Sequence, residues 1–75
     1  VKVGQIVRVL DTIFTRTDPE IVRRFNSAAK VIRQIPGSEA DVVLDTHDAV
    51  VDLLFEVRWA DSYTYHAWAS ELELL

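Results

Sequence analysis

Residues 48–75, DAVVDLLFEVRWADSYTYHAWASELELL, decide the fold that the sequence predicts. From 49 to 59, apolar and polar side chains alternate, which is typical of a β-strand with one buried face. Asp61 and Ser62 are of types that commonly cap helices, and apolar side chains then recur every three or four positions. The stretch therefore predicts a strand followed by an amphipathic helix. The buried side of this helix would carry Tyr65, Trp68, Ala69, Leu72 and Leu75.

The first half of the chain predicts another strand and another helix. Residues 3–14 are rich in β-branched side chains and apolar on both faces, which indicates a strand covered on both sides. A helix start follows, either as a capping box of Thr17 with Glu20 or as Asp18 before Pro19. The apolar stripe of this helix, ahead of a Pro36–Gly37 stop, would be Ile21, Val22, Phe25, Ala28, Ala29, Ile32 and Ile35.

The element order points to an α+β fold. A short strand over 38–45 and the strand over 49–59 are expected to form an antiparallel hairpin around a polar turn at 46–48. The order β-α-β-β-α matches a ferredoxin-like sandwich except for its last strand. Residues 1–75 are accordingly expected to form one domain, with two helices on one sheet face and the final strand missing. The other sheet face would pack on a second copy and give a dimeric barrel.

Composition limits the classes of partner and compartment. The chain has 75 residues, no cysteine and 49% hydrophobic residues, so disulfides cannot stabilise it and apolar surface remains for a partner subunit, in a homodimer or a higher oligomer. Its net charge of −4 argues against nucleic acid as a partner, because such proteins display basic patches. The sequence offers no apolar run long enough for a membrane span and no signal peptide, so no membrane partner is predicted and the expected location is the cytoplasm. The basic residues Arg23, Arg24, Lys30 and Arg33 fit the solvated face of the first helix.

The candidate site lies between the end of the 49–59 strand and the start of the last helix. The candidate ligand-binding residues are Trp59, Tyr63, Tyr65 and Trp68. Aromatic rings with polar edges can line a pocket for a planar ligand, although the same spacing also fits core packing. His66 is the candidate catalytic residue, because histidine is the side chain suited to proton transfer near neutral pH.

Other candidate sites carry less specific signals. His47 and His66, with the acidic residues beside His47, could bind a metal, but their spacing matches no standard ligand pattern and no metal is predicted. Asp52 or Glu56 could serve as a buried general acid or base, although cross-strand ion pairs explain them as well. The sequence has no nucleotide-binding glycine loop, nucleophile elbow or paired-histidine zinc motif, and no cofactor is predicted.

The stretch 51–70 resembles the closing strand and helix of the dimeric α+β barrel superfamily. In its antibiotic-biosynthesis monooxygenase family, a histidine commonly follows the strand-ending aromatic residue by nine positions, and here the ninth residue after Trp59 is Trp68. In the stress-responsive barrel family that position is often tyrosine, and the tripeptide at 35–37 resembles the IPG that closes its first helix. The stretch 51–57 is also similar to a strand in the ligand-binding domain of leucine-responsive regulators.

These resemblances imply a small dimeric α+β barrel that binds an apolar or aromatic small molecule. The monooxygenase-like family implies a cofactor-independent monooxygenase or cyclase as one hypothesis. The regulator domains imply the alternative, a non-catalytic effector-binding or oligomerisation module, and an assembly domain without a ligand is a third. An enzyme would direct His66 or a strand carboxylate into a cavity within one subunit, whereas a regulator module would hold its ligand at a subunit boundary.

Overall fold

The computed structural model of the protein describes the backbone of residues 1–36, 40–43 and 49–75, and the side chains of residues 1–36 and 52–75. The strands in the described backbone are β1 (Ile6–Val9), β2 (Ala29–Gln34), β3 (Ala40–Val43), β4 (Ala49–Asp52), β5 (Leu54–Trp59), β6 (Thr64–Trp68) and β7 (Leu72–Leu74). Helical structure in this backbone is limited to one turn of α-helix, α1 (Pro19–Val22), and two 3₁₀ turns, Thr15–Thr17 and Ala69–Glu71. The described part of the chain is therefore mostly β-structure.

Five of these strands form one antiparallel sheet in the order β6-β5-β2-β1-β7, and β3 pairs with β4 separately. The two edge strands of the large sheet, β6 and β7, are joined only by the 3₁₀ turn Ala69–Glu71. A flat sheet of five strands would be ~19 Å wide. The chain from Trp68 to Leu72 spans at most about 14 Å. The sheet is therefore curled, with the 3₁₀ turn bridging its edges.

The inward face of the curled sheet holds the core. Its buried side chains are Val7, Val9, Ile21, Ala29, Val31, Phe55, Val57, Trp59, Ala67 and Leu72. On β5 the buried residues alternate with outward ones as predicted, since Phe55, Val57 and Trp59 are all buried. α1 contributes Ile21, which is fully buried and attaches the connection between β1 and β2 to the sheet.

The predicted ferredoxin-like α+β sandwich is wrong for this chain. Its two long helices are not formed, because the segments assigned to them contain β2, β6 and β7. Those strands pair with β1 and β5 into a single sheet, so the described part of the chain has no pair of helices that could cover one sheet face. Over the described residues, the fold is a small antiparallel β-structure with one short helix.

The first predicted helix begins where expected and ends one turn later. The Asp18 side chain accepts a hydrogen bond from Glu20 N at 3.0 Å, with Pro19 as the first helical residue, which confirms the Asp18–Pro19 start. The residues expected to continue the helix form β2 instead. Ala29 and Val31 are buried there with the two-residue period of a strand, and β2 pairs with β1 and β5 on its two sides. The apolar stripe that suits a helix thus also suits a strand.

The second predicted helix is also wrong, because its residues form β6 and β7. Asp61 does not cap a helix, since its Oδ1 accepts a hydrogen bond from Tyr63 N at 3.1 Å within the turn between β5 and β6. Ser62 in that turn has a φ of 71°, a left-handed conformation that helps to reverse the chain. β6 is rich in aromatic residues, which favour a strand once β5 is there to pair with it.

The predicted hairpin is confirmed, because β3 and β4 pair antiparallel with Val42 opposite Val50. The turn predicted at 46–48, with the candidate metal ligand His47, lies outside the described residues.

The strand predicted over 49–59 is interrupted at Leu53, and its second half, β5, pairs with β2 rather than with β3. The buried carboxylate of Asp52 stabilises the backbone at this break between β4 and β5. It accepts hydrogen bonds from Leu53 N at 2.8 Å and from Ser70 Oγ at 2.6 Å.

The first predicted strand is shorter than expected and is formed over β1. Val7 and Val9 are buried as one face of it, whereas Ile6 on the other face is 46% exposed. Ile13 and Phe14, near the end of the predicted strand, are exposed as well. Within one chain, only the face of β1 that carries Val7 and Val9 is covered, and the face that carries Ile6 is open to solvent.

Candidate functional site at the turn between β5 and β6

The turn between β5 and β6 brings two of the candidate aromatic residues together. Trp59 N donates a hydrogen bond to Tyr63 O at 3.0 Å, so these residues face each other across the turn. Their ring centroids are 6.2 Å apart and the ring planes are inclined at 50°. Trp59 is buried and Tyr63 is half-buried, so the pair closes this end of the core.

The guanidinium group of Arg24 covers this aromatic pair. Its Cζ lies 4.1 Å from the Tyr63 ring centroid and 5.9 Å from the Trp59 ring centroid, within the range of cation–π contacts. Its Nη2 donates to Asp61 Oδ2 at 2.6 Å, and its Nη1 donates to Glu20 Oε2 at 2.9 Å. The hydrogen bonds from Arg24 lower the pKa of both carboxyl groups, and the bond to Asp61 contributes most to raising the pKa of Arg24. Arg24 thereby ties α1 to the turn.

A recess of about 400 Å³ opens beside this cluster, and we call it the Arg24 recess. It is lined by Arg24, Ser27, Ala28, Trp59, Ala60 and Asp61. Two buried donors of its lining residues, the indole Nε1 of Trp59 and the Nε of Arg24, have no hydrogen-bond partner among the described residues.

A second recess of about 400 Å³ lies where β1, β2 and β5 are neighbours, and we call it the Lys30 recess. It is lined by Ile6, Ala28, Ala29, Lys30, Ile32, Arg58, Trp59 and Ala60. Ala28, Trp59 and Ala60 also line the Arg24 recess, so the two recesses meet at the end of β5.

The strand register arranges a row of side chains across the outward face of the sheet at the Lys30 recess. Ile6 lies opposite Lys30, Lys30 lies opposite Arg58, and Arg58 lies opposite Thr64. Paired residues on neighbouring strands project to the same face, so all four side chains share the outward face. Both cations are exposed. The row thus consists of an apolar group, two positive charges and a hydroxyl group.

The other three candidate aromatic and histidine side chains are divided between the two faces of β6. Tyr65 packs against the core, and its burial raises the pKa of its phenol group. His66 and Trp68 alternate with the buried Ala67 and project from the opposite face. The structure brings Trp59 and Tyr63 together, whereas neither His66 nor Trp68 lines either recess.

The candidate proton-transfer groups are held in other contacts. His66 Nε2 lies 3.4 Å from Glu56 Oε1, and the same oxygen lies 3.4 Å from Arg33 Nη2. Asp52 is buried, but each of its carboxylate oxygens accepts a hydrogen bond from the protein. Among the residues that the structure describes, no group of three or more His, Cys, Asp or Glu side chains could hold a metal ion.

Sequence patterns miss the two cations of the Lys30 recess as site residues. The sequence patterns predict a cross-strand ion pair for Arg58 and a position on the solvated face of a helix for Lys30. Lys30 and Arg58 are adjacent only because β2 pairs with β5. This pairing does not follow from the sequence prediction, which assigns the β2 residues to a helix. The alternation of apolar and charged residue types over Ala29, Lys30 and Val31 is the local sequence signal that favours a strand there.

Comparisons of the chain with protein-family models, with curated proteins and with solved structures found no match. In the described parts of the chain, every helix is too short or too polar to cross a membrane.

Proposed function

We propose that the protein binds an apolar or aromatic small molecule in the Lys30 recess. The supporting observation is its volume of about 400 Å³, which falls in the range of roughly 300–1,000 Å³ that small-molecule sites occupy. Most of its lining residues are apolar or small, namely Ile6, Ala28, Ala29, Ile32, Trp59 and Ala60. A planar hydrocarbon group would bury the apolar surface that Ile6, Ala28, Ile32 and Ala60 leave open to solvent, since Ala29 and Trp59 are already buried.

The geometry favours binding over the oxygenase or cyclase chemistry that the resemblance implies. His66 lines neither recess, and Asp52 and Glu56 line neither of them. A general acid or base needs to come within hydrogen-bond reach of its substrate. A ligand in the Lys30 recess would meet cations and apolar groups instead. The cytoplasmic location that the sequence predicts stays part of this proposal.

Titration calorimetry with the neutral probe 2-naphthamide tests the proposal. At ~0.3 kcal/mol per heavy atom, the probe is expected to bind with a dissociation constant on the order of 1 mM. Ala60→Leu adds bulk to both recesses and is expected to weaken binding about fivefold or more. Asn26→Phe adds the same number of heavy atoms at an exposed position outside both recesses and serves as the matched control. Absence of binding to the unmodified protein, or equal binding by the two variants, would contradict the proposal.

A second candidate function is self-association, which was also expected from the sequence. Exposed apolar side chains cluster at the paired ends of β1 and β7, where Leu75 N donates a hydrogen bond to Ile6 O at 3.2 Å. This patch consists of Ile6 and Leu75, which are 46% and 65% exposed and share the outward face of the sheet. A second copy of the chain would cover them and would bring its own surface close to the Lys30 recess, which Ile6 also lines.

Light scattering measures this association directly. The unmodified protein is expected to have at least twice the 8.6 kDa mass of one chain, and Ile6→Glu is expected to return it to a single chain. Ile13→Glu changes a more exposed apolar residue outside this patch and is expected to leave the assembly intact. A single-chain mass for the unmodified protein would rule out this second function.

A further inference from the structure

We infer that the ligand of the Lys30 recess is an organic anion whose carboxylate binds between Lys30 and Arg58. This inference rests on the proposed function and adds the chemical class of the ligand to it. Three observations carry it: the pairing of the two cations, their lack of acidic partners, and the apolar groups beside them.

The register places the two cations directly opposite each other on neighbouring strands. Lys30 on β2 is the partner of Arg58 on β5. Like charges opposite one another on a sheet destabilise it, because their side chains project to the same face only about 5 Å apart at the Cβ atoms. An anion between them converts this repulsion into two attractive contacts.

Neither cation has an acidic partner among the described side chains, in contrast to the other arginines. Each of the other arginines lies within ion-pair distance of a carboxylate: Arg8, Arg16, Arg23, Arg24 and Arg33. Lys30 and Arg58 are therefore unusual among the described basic residues, because they are adjacent to each other and neither has an acidic partner.

The groups around the two cations suit a carboxylate that is attached to an apolar body. Ile6 lies next to Lys30 in the row, and Ile32 lines the same recess, so apolar atoms flank the positive charges. The guanidinium group of Arg58 can hold a carboxylate with two parallel hydrogen bonds. Thr64, on the far side of Arg58, offers a hydroxyl donor. The matching ligand is a small aromatic or aliphatic monocarboxylic acid.

A matched pair of probes separates the charge from the apolar group. Titration calorimetry at low ionic strength is expected to show 2-naphthoate binding about tenfold or more tightly than 2-naphthamide, which has the same ring system without the charge. Lys30→Gln and Arg58→Gln are each expected to remove most of this preference. Arg33→Gln, the same change on the same sheet face outside the recess, is expected to retain it.

The stability of the variants gives an independent readout. Removing one of two opposed cations relieves repulsion in the protein without ligand, so Arg58→Gln is expected to raise the midpoint of thermal unfolding by about 2 °C. Lys30 and Arg58 are both exposed, so their replacement by Gln is expected to leave the protein folded. A residue that served stability alone would lower the midpoint when replaced.

The outcomes distinguish the inference from the proposed function. Equal binding of the two probes, or a preference for naphthoate that survives both Lys30→Gln and Arg58→Gln, would overturn the assignment of the anion site while leaving the recess as a binding site. Failure of both probes to bind the unmodified protein would overturn the proposed function and the inference together. A loss of preference in the two recess variants and not in Arg33→Gln is the result that supports it.

Discussion

The Ile21→Ala variant is expected to lose about 3 kcal/mol of unfolding free energy, with a range of roughly 2–5 kcal/mol. Ile21 is fully buried and is the buried side chain of α1. Its removal takes apolar atoms out of the core and leaves a cavity that the curled sheet cannot close completely. One turn of helix is not stable by itself, so α1 depends on this packing. Urea unfolding followed by circular dichroism measures the loss.

Val22→Ala is the matched control, because Val22 is the next residue of α1 and is 43% exposed. Its replacement is expected to change the unfolding free energy by no more than about 0.5 kcal/mol. Similar losses in the two variants would mean that α1 does not dock on the sheet through Ile21.

Glu71→Ala is expected to lose about 2–3 kcal/mol, because hydrogen bonds to a buried charged group contribute roughly 1.5–3 kcal/mol. The Glu71 side chain is 4% exposed and lies in the 3₁₀ turn that joins the edge strands. Its Oε1 accepts a hydrogen bond from Trp68 N at 2.8 Å, and its Oε2 accepts a longer one from Thr12 Oγ1 at 3.5 Å. Glu71 thus connects the end of β6 with the segment that follows β1, and the same unfolding measurement applies.

Glu73→Ala provides the comparison within the same segment. Glu73 is about half exposed and its Oε2 lies 2.6 Å from Arg8 Nη2. Exposed ion pairs contribute little, so this change is expected to lose less than about 1 kcal/mol. If Glu73→Ala proved as costly as Glu71→Ala, the buried carboxylate would not be the group that closes the sheet.

The sequence predicted some elements of the fold because their signals are local. The alternation of apolar and polar residues that ends at Trp59 predicts β5 and its buried face. The helix-capping residue Asp18, followed by Pro19, predicts the start of α1. Apolar residues three or four apart predict helices in two segments that instead form β2 and β6. Over a short segment, such spacing is compatible with the period of a helix and with the period of a strand. Pairing with strands that are distant in the sequence determines which of the two forms.

The candidate site was predictable to the same extent. Trp59 and Tyr63 are close in sequence, and a turn between them is enough to bring their rings together. The remaining site residues come from separate elements. Arg24 reaches the aromatic pair from the segment after α1, and Lys30 meets Arg58 through the β2–β5 register. No local pattern encodes either contact, because each depends on which strands become neighbours.

Chemical-shift mapping of the amide groups during a titration with 2-naphthoate tests most directly whether the Lys30 recess is the binding site. Saturating changes are predicted for Lys30, Arg58 and Ala60, which line the recess, and little change is predicted for His66 and Trp68, which do not. Changes concentrated at His66 and Trp68, or no changes at any concentration, would contradict the account.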